Sequence, residues 1–303
     1  MSVFLKMANV QLALFLYMSV GFLCRKRNIL NDIARDKLTD LVFRVTLPCM
    51  IFRSFCMELD LAVLRQASLS LLISAVTAVG SRFLRKSLYL SFPPREKCNL
   101  QYGTLVSNSG FAGLSVVSGV YGSTGLFLAS LFIIPTRILM WSAGISLFTT
   151  APAKEKCRKI LLNPAIIAVE VGLVWLLVQI PLPGFLAQAL DGLGDCTSPM
   201  AMAVVGAILA DVPLREVLAP KAFYLAAVRQ LLLPGLCLAV LRLLSVPPVT
   251  TGVAVILTGM PIGSTTAILA QKYGADAAFA SQCIFVSTLT SLFTVPVLTL
   301  FLP

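Results

Sequence analysis

Ten long apolar stretches, parted by short polar loops, leave this chain almost no way to fold in water. They run at about 3–24, 38–57, 61–83, 98–120, 124–150, 161–180, 184–210, 220–244, 247–272 and 277–302. A helix crossing the hydrocarbon of a bilayer needs about 20 predominantly apolar residues, and these lengths meet that need. The shorter alternating segments of a membrane β-barrel are absent. Of the 303 residues, 58% are hydrophobic and 12% charged, against about 45–50% and about 25% in soluble domains. The expected fold is therefore an all-α polytopic membrane protein with ten transmembrane helices and a lipid bilayer as its solvent. The first stretch is followed by Arg25, Lys26 and Arg27 with no A-x-A-like site, so it is expected to stay as a helix rather than be cleaved as a signal.

The loops give the topology. The odd-numbered loops carry seventeen Lys and Arg, the even-numbered loops two. The positive-inside rule puts the odd loops in the cytosol and both termini on the extracytoplasmic side of the cell's inner (plasma) membrane. This distribution also accounts for the net charge of +11 without a nucleic acid partner. The eight cysteines include no CxxC pair and there is no histidine. Neither a disulfide framework nor a metal site is expected, and the usual proton shuttle is missing.

Five helices on each side of a short linker is an odd number, so two homologous halves would insert with opposite orientation. Traces of such a repeat survive. At an offset of 151, Asp40, Thr46, Pro48 and Asp60 match Asp191, Thr197, Pro199 and Asp211, and Ala129–Ser130 match Ala280–Ser281. One residue further, Tyr121–Gly122 match Tyr273–Gly274. The expected organisation is a first five-helix repeat over 1–150, a cytosolic linker over 151–160 and a second, inverted repeat over 161–303. Inverted repeats of this kind are the signature of secondary transporters.

Helices four and nine are interrupted at corresponding places, by Asn108, Ser109, Gly110 and Gly113 in one and by Gly259, Pro261 and Gly263 in the other. A helix broken within the membrane exposes backbone groups that only protein or a water-filled cavity can satisfy. Paired breaks of this kind point to a transport site. Each second half-helix presents a positive end and free N–H donors, which suits a small organic anion. Gly113 and Gly263 would let a carboxylate approach the backbone, with Asn108, Ser109, Ser264 and Thr265 adding hydrogen bonds. Packing kinks without a ligand are the competing explanation. Pro48 and Pro199 are expected as structural kinks in helices two and seven. Of the ionisable residues within apolar stretches, Arg53, Glu170 and Asp191 fit the membrane interface. Arg44, Arg137, Asp195 and Arg229 are candidates for anion attraction or proton coupling.

No GxxxxGK[ST] loop is present, which argues against ATP-driven transport by this chain alone, and no clustered catalytic set marks an enzyme. A non-transporting membrane sensor using the same pocket is the alternative from another class.

The runs Asn108 to Gly122 and Met260–Pro261 through Lys272–Tyr273, with TLPCMIF at 46–52 and LLNPAII at 161–167, resemble the auxin efflux carrier family of bacterial permeases and plant PIN-type carriers. The resemblance implies broken crossover helices four and nine, a scaffold part and a crossover part that moves by an elevator-like displacement, and often a homodimer. It implies small carboxylates such as malonate or malate as substrates, with Asn108 as the crossover asparagine and Pro261 as the crossover proline. The chain departs from the family in having Ser115 where many members have proline. Its fifth loop is short, so auxin itself is not expected. No cofactor is implied. The coupling ion is left open between H⁺, for which Asp195 would be the carboxylate, and Na⁺, as in the bile-acid symporters of related fold.

Overall fold

The computed structural model describes residues 3–58, 61–148, 161–211 and 219–302. The linker at 151–160 and Arg215 lie outside the described residues. Within them the regular structure is helical, apart from one isolated antiparallel bridge between Ser107 and Ile262.

Helix α1 (Val3–Lys26) leads to α2 (Asp32–Leu41), whose first turn is capped by Asn31 accepting from the Ala34 N–H at 2.9 Å. A π turn (Val42–Thr46) joins α2 to α3 (Leu47–Ser54). Pro48 lies just past that turn; it has no N–H to give to the preceding turn of helix, and the backbone widens there. Helix α4 spans Leu61–Leu88 and α5 Pro94–Leu105. A break and a π turn (Ser109–Gly113) lead into α6 (Leu114–Leu139). The second half brings α7 (Pro164–Val178), α8 (Gly184–Asp195) and α9 (Thr197–Ala210). Between α8 and α9 helical assignment lapses for one residue, Cys196, three before Pro199. Helix α10 (Pro220–Ala227) passes through a π turn (Val228–Leu232) into α11 (Leu233–Leu243), with Pro234 placed as Pro48 is. Helix α12 (Pro248–Gly259), a second break, α13 (Thr265–Lys272) and α14 (Ala277–Thr299) complete the order.

Six runs are long and apolar enough to cross a membrane: Ala8–Lys26, Leu64–Leu88, Leu114–Leu147, Gly184–Ala210, Pro220–Leu243 and Ala277–Thr299. Two further apolar helices, Pro164–Val178 and Pro248–Gly259, are shorter. The Leu114–Leu147 run is kinked at Gly122, whose φ of 64° and ψ of −151° leave helical geometry. Gly274 has φ 72°, and among the described glycines these two have positive φ. Glycine reaches that region without a Cβ clash, so the matched Tyr–Gly pairs of the two halves share a positive φ as well as a sequence.

The helices share a large apolar core in which two groups of contacts stand out. Helix α1 lies against α9 so closely that a Cβ on Gly206 would stand 1.8 Å from the Met18 carbonyl oxygen, and one on Gly21 2.0 Å from that of Ala203. Small residues let membrane helices touch backbone to backbone in this way. Asp211, after α9, pairs with Arg25 at 2.7 Å and Arg35 at 3.1 Å. Helix α3 joins this group through Phe55 against Gly172 and through the Arg53–Asp191 pair at 2.8 Å. In the other group, Ser70 on α4 donates to the Leu128 carbonyl of α6 at 2.8 Å, and Lys221 on α10 pairs with Glu96 on α5 at 2.7 Å.

Gly206→Ala places a methyl group in the α1–α9 contact and is expected to cost about 1–3 kcal/mol, the usual range for overpacking. Gly80→Ala, inside α4 with nothing within 4 Å of the added Cβ, should keep or slightly raise stability. Thermal unfolding of the detergent-solubilised protein compares the two; equal midpoints would disprove the close contact.

Candidate functional site at the crossing of two interrupted helices

The two breaks meet. The Asn108 N–H donates to the Pro261 carbonyl at 2.7 Å, and the Gly263 N–H donates to the Val106 carbonyl at 3.1 Å. These bonds flank the Ser107–Ile262 bridge and form one rung of antiparallel sheet inside a helical protein. Backbone freed by each break is thus satisfied by the other, as an apolar surrounding requires. Side chains complete the accounting. The Ser107 hydroxyl donates to the Leu257 carbonyl at 3.4 Å, and the Ile262 N–H donates to the Ser287 hydroxyl of α14 at 3.3 Å.

Arg229, 4% exposed, lies in the π turn before α11 and is turned to the same crossing. It donates to the Thr104 carbonyl at 2.9 Å and to the Met260 carbonyl at 3.4 Å. Thr104 is in the last turn of α5 and Met260 is the C-cap of α12. An arginine at mid-membrane costs about 2.5–3.5 kcal/mol on insertion scales. Here it faces two helix C-termini, each with roughly half a negative elementary charge.

The positive ends after the breaks are free of side-chain caps. Asn108 precedes the Ser109–Gly113 π turn and Ser264 precedes α13, and neither side chain caps its own segment. Asn108 is 8% exposed and makes no side-chain hydrogen bond to another described residue. It lines a cavity of about 20 Å³ with Pro261, Gln11 of α1, Val205 and Met202 of α9, and Thr288 and Ser291 of α14. That space holds about one water, so the crossing is closed around Asn108. Thr265 at the start of α13 shares a 3.1 Å hydrogen bond with the Tyr102 hydroxyl.

Two larger cavities approach from opposite ends. One, of about 510 Å³, has Arg35, Asp36 and Asp211 on its wall and reaches Ser264 and Thr265. Val205 lines both this cavity and the small one at Asn108. The other, of about 380 Å³, is lined by Arg53, Asp191, Asp195, Ser118 and Ser198, and no residue of either break is among its walls.

The structure therefore gathers Asn108, Ser109, Pro261, Gly263, Ser264 and Thr265 at one crossing. Gly110 is there too, against Arg137: a Cβ on it would lie 2.1 Å from Arg137 Nη2. Arg137 and Gly110 border a separate void of about 10 Å³. The approach expected at Gly113 is filled by the side chains of Leu257 and Met260, and Gly259 is packed under the side chain of Leu298. Arg44 is not at the crossing; its side chain is 73% exposed and pairs with Asp40 at 3.7 Å. Asp195 is exposed in the second of these cavities, away from both breaks. Sequence reasoning missed Ser107, Ile262, Gln11 and Ser287. For Ser287 a signal existed, the polar run Ser287–Ser291 inside an apolar helix. Backbone pairing through Ser107 and Ile262 leaves none.

Six apolar membrane-length helices around two crossing breaks, with a cavity that reaches Ser264 and Thr265, describe a multi-pass membrane protein. The sequence matches the family described as "Membrane transport protein" over residues 7–299. The chain belongs to that family, the auxin efflux carrier family to which its motifs pointed. It is 25% identical over 301 residues to an "Uncharacterized transporter" of Methanothermobacter thermautotrophicus, covering 97% of this chain and 98% of the relative. It is 27% identical over 205 residues to a "Putative malonate transporter" of Rhizobium meliloti, covering 59% of this chain and 63% of that protein.

Ser107 and Ile262 form a pair not joined by its own hydrogen bonds, whose Cα atoms stand about 4.5 Å apart in antiparallel sheet. In a background without other cysteines, Ser107→Cys with Ile262→Cys should oxidise to a disulfide, read as a linked peptide by mass spectrometry. Failure of the pair to link under oxidant would contradict the crossing.

Proposed function

We propose that this protein is a secondary transporter of small carboxylates, of the malonate and malate class, working by alternating access at the crossing of the two breaks. The observation that carries the reading is the pair of backbone hydrogen bonds joining the breaks beside an Asn108 amide that has no partner among the described residues. The positive ends of the Ser109–Gly113 turn and α13 face this region without side-chain caps. A carboxylate is the ligand that helix N-termini and an amide N–H₂ favour together. The name of the Rhizobium relative agrees with this class of solute.

In this reading the short and interrupted apolar helices join the long ones to make ten spans in two inverted halves. The matched positive-φ glycines, Gly122 and Gly274, support that symmetry. So do the breaks, each preceded by a helix beginning at a Pro–Pro pair. Loops rich in Lys and Arg face the cytosol and both termini face outward. The cavity reaching Ser264 and Thr265 then opens to the cytosol, and Val205 separates it from Asn108. The group containing α1, α3, α7 and α9 is the scaffold; the group containing α4–α6 and α10–α14 carries the crossing. The ion pairs Arg25–Asp211, Arg53–Asp191 and Lys221–Glu96 each stay within one group, and the boundary between groups carries apolar contacts such as Phe55 on Phe127, with ring centroids 5.0 Å apart.

Purified protein in liposomes should exchange radiolabelled malonate across the bilayer. Asn108→Ala removes a hydrogen bond to an ionised group, worth about 1.5–3 kcal/mol, so affinity should fall about tenfold or more. Binding without flux would indicate a sensor; unchanged kinetics in Asn108→Ala would remove this residue from the site. Val205→Trp should block the passage and abolish flux; Val205 is buried, so the thermal midpoint should fall as well, and flux is compared per folded, inserted protein.

A further inference from the structure

We propose that Arg229 is a resident cation: its guanidinium occupies the place between two half-helix C-termini where a coupling metal ion would bind, and so makes transport independent of Na⁺. Discontinuous helices in transporters commonly leave carbonyl ends that coordinate Na⁺. Two such ends converge here, the last turn of α5 at Thr104 and the cap of α12 at Met260. Both carbonyls instead accept from Arg229, at 2.9 Å and 3.4 Å. No described carboxylate pairs with this guanidinium.

The charges balance without one. Each C-terminus carries roughly half a negative elementary charge, and two of them together offset one arginine. An arginine serves better than a lysine because its planar fork can donate to two carbonyls in different directions at once. The π turn at Val228–Leu232 widens the helix where this side chain leaves it. The next residue, Gln230, is buried and tied to α14 by donating to the Ser287 carbonyl and accepting from the Thr290 hydroxyl at 2.7 Å. The helix bearing Arg229 is therefore anchored to the helix whose Ser287 holds the second break. Two further acceptors at the crossing are also engaged, the Leu257 carbonyl by Ser107 and the Val106 carbonyl by Gly263. A metal ion seeking the two helix ends would have to displace the guanidinium from the Thr104 and Met260 carbonyls.

The inference about Na⁺ rests on the transport reading; the placement of the guanidinium does not, and the two are tested apart. In liposomes, malonate flux by the unaltered protein should stay within about twofold when Na⁺ is replaced by K⁺ or choline, since a coupled ion typically shifts affinity 5–150-fold. Thermal unfolding needs no substrate. Arg229→Gln should lower the midpoint, and guanidinium chloride at low millimolar concentration should raise it again, because a ligand that binds the native state stabilises it. The same salt should leave the unaltered protein unmoved. Arg229→Lys should retain part of the stability, with a midpoint between the two. If Arg229→Gln does not fold, recovery of folded protein on expression with guanidinium in the medium takes the place of the midpoint. A midpoint of Arg229→Gln equal to that of the unaltered protein, or one that Na⁺ restores and guanidinium does not, overturns the proposal. So does a tenfold loss of flux without Na⁺. Absence of any anion flux, with guanidinium rescue intact, overturns the transport reading and leaves the resident cation standing.

Discussion

An interrupted helix in hydrocarbon has to place its loose backbone groups somewhere, and in this protein two interruptions answer each other. The Asn108–Pro261 and Gly263–Val106 bonds close each break with the other's amide and carbonyl. The surrounding architecture follows from holding that rung in register. Ser287 on α14 supports the strand at Ile262, Ser107 of the other strand donates to Leu257 in the helix leading to Ile262, and Arg229 faces the two carbonyl ends that lead into the rung. Each contact uses a short polar side chain or a single charge within an otherwise apolar shell, where an unmet donor or acceptor is costly.

Much of this was legible in the sequence, and the limits of legibility have physical causes. Hydropathy marks helices because lipid demands long apolar runs. Glycine and proline mark the breaks because they alone change what the backbone can do, and Gly110, Gly113 and Pro261 lie where helix α5 gives way to α6 and α12 to α13. Pro48 was visible as a kink, and it appears as a π turn over Val42–Thr46. Partnership was not visible. Any residue can form a rung of backbone pairing, so Val106, Ser107 and Ile262 carry no mark of it. Arg229 stood out as a charge in an apolar span, but carbonyl partners are present at every position of a chain and cannot be read from it.

The charged residues also show how span membership misleads. Arg44, Asp195, Arg137 and Arg229 all fall inside apolar stretches, yet only the last two are drawn toward a break. Arg44 lies one helical turn from Asp40 on an exposed face, and Asp195 ends α8 at an open cavity. Depth within a stretch says how far a side chain is from the loop; it does not say which way the helix turns it. The glycines divide in the same manner. Gly113 and Gly259 make room for neighbouring side chains, while Gly263 has no neighbour nearer than 3.3 Å to an added Cβ.

The contact of Gly21 with Ala203 and of Gly206 with Met18 has a mechanical consequence. Two helices keyed together at the level of their main chains cannot slip lengthwise by a turn, because any side chain arriving at the notch would be too large for it. The α1–α9 pair is indexed at one height by the smallest residue available.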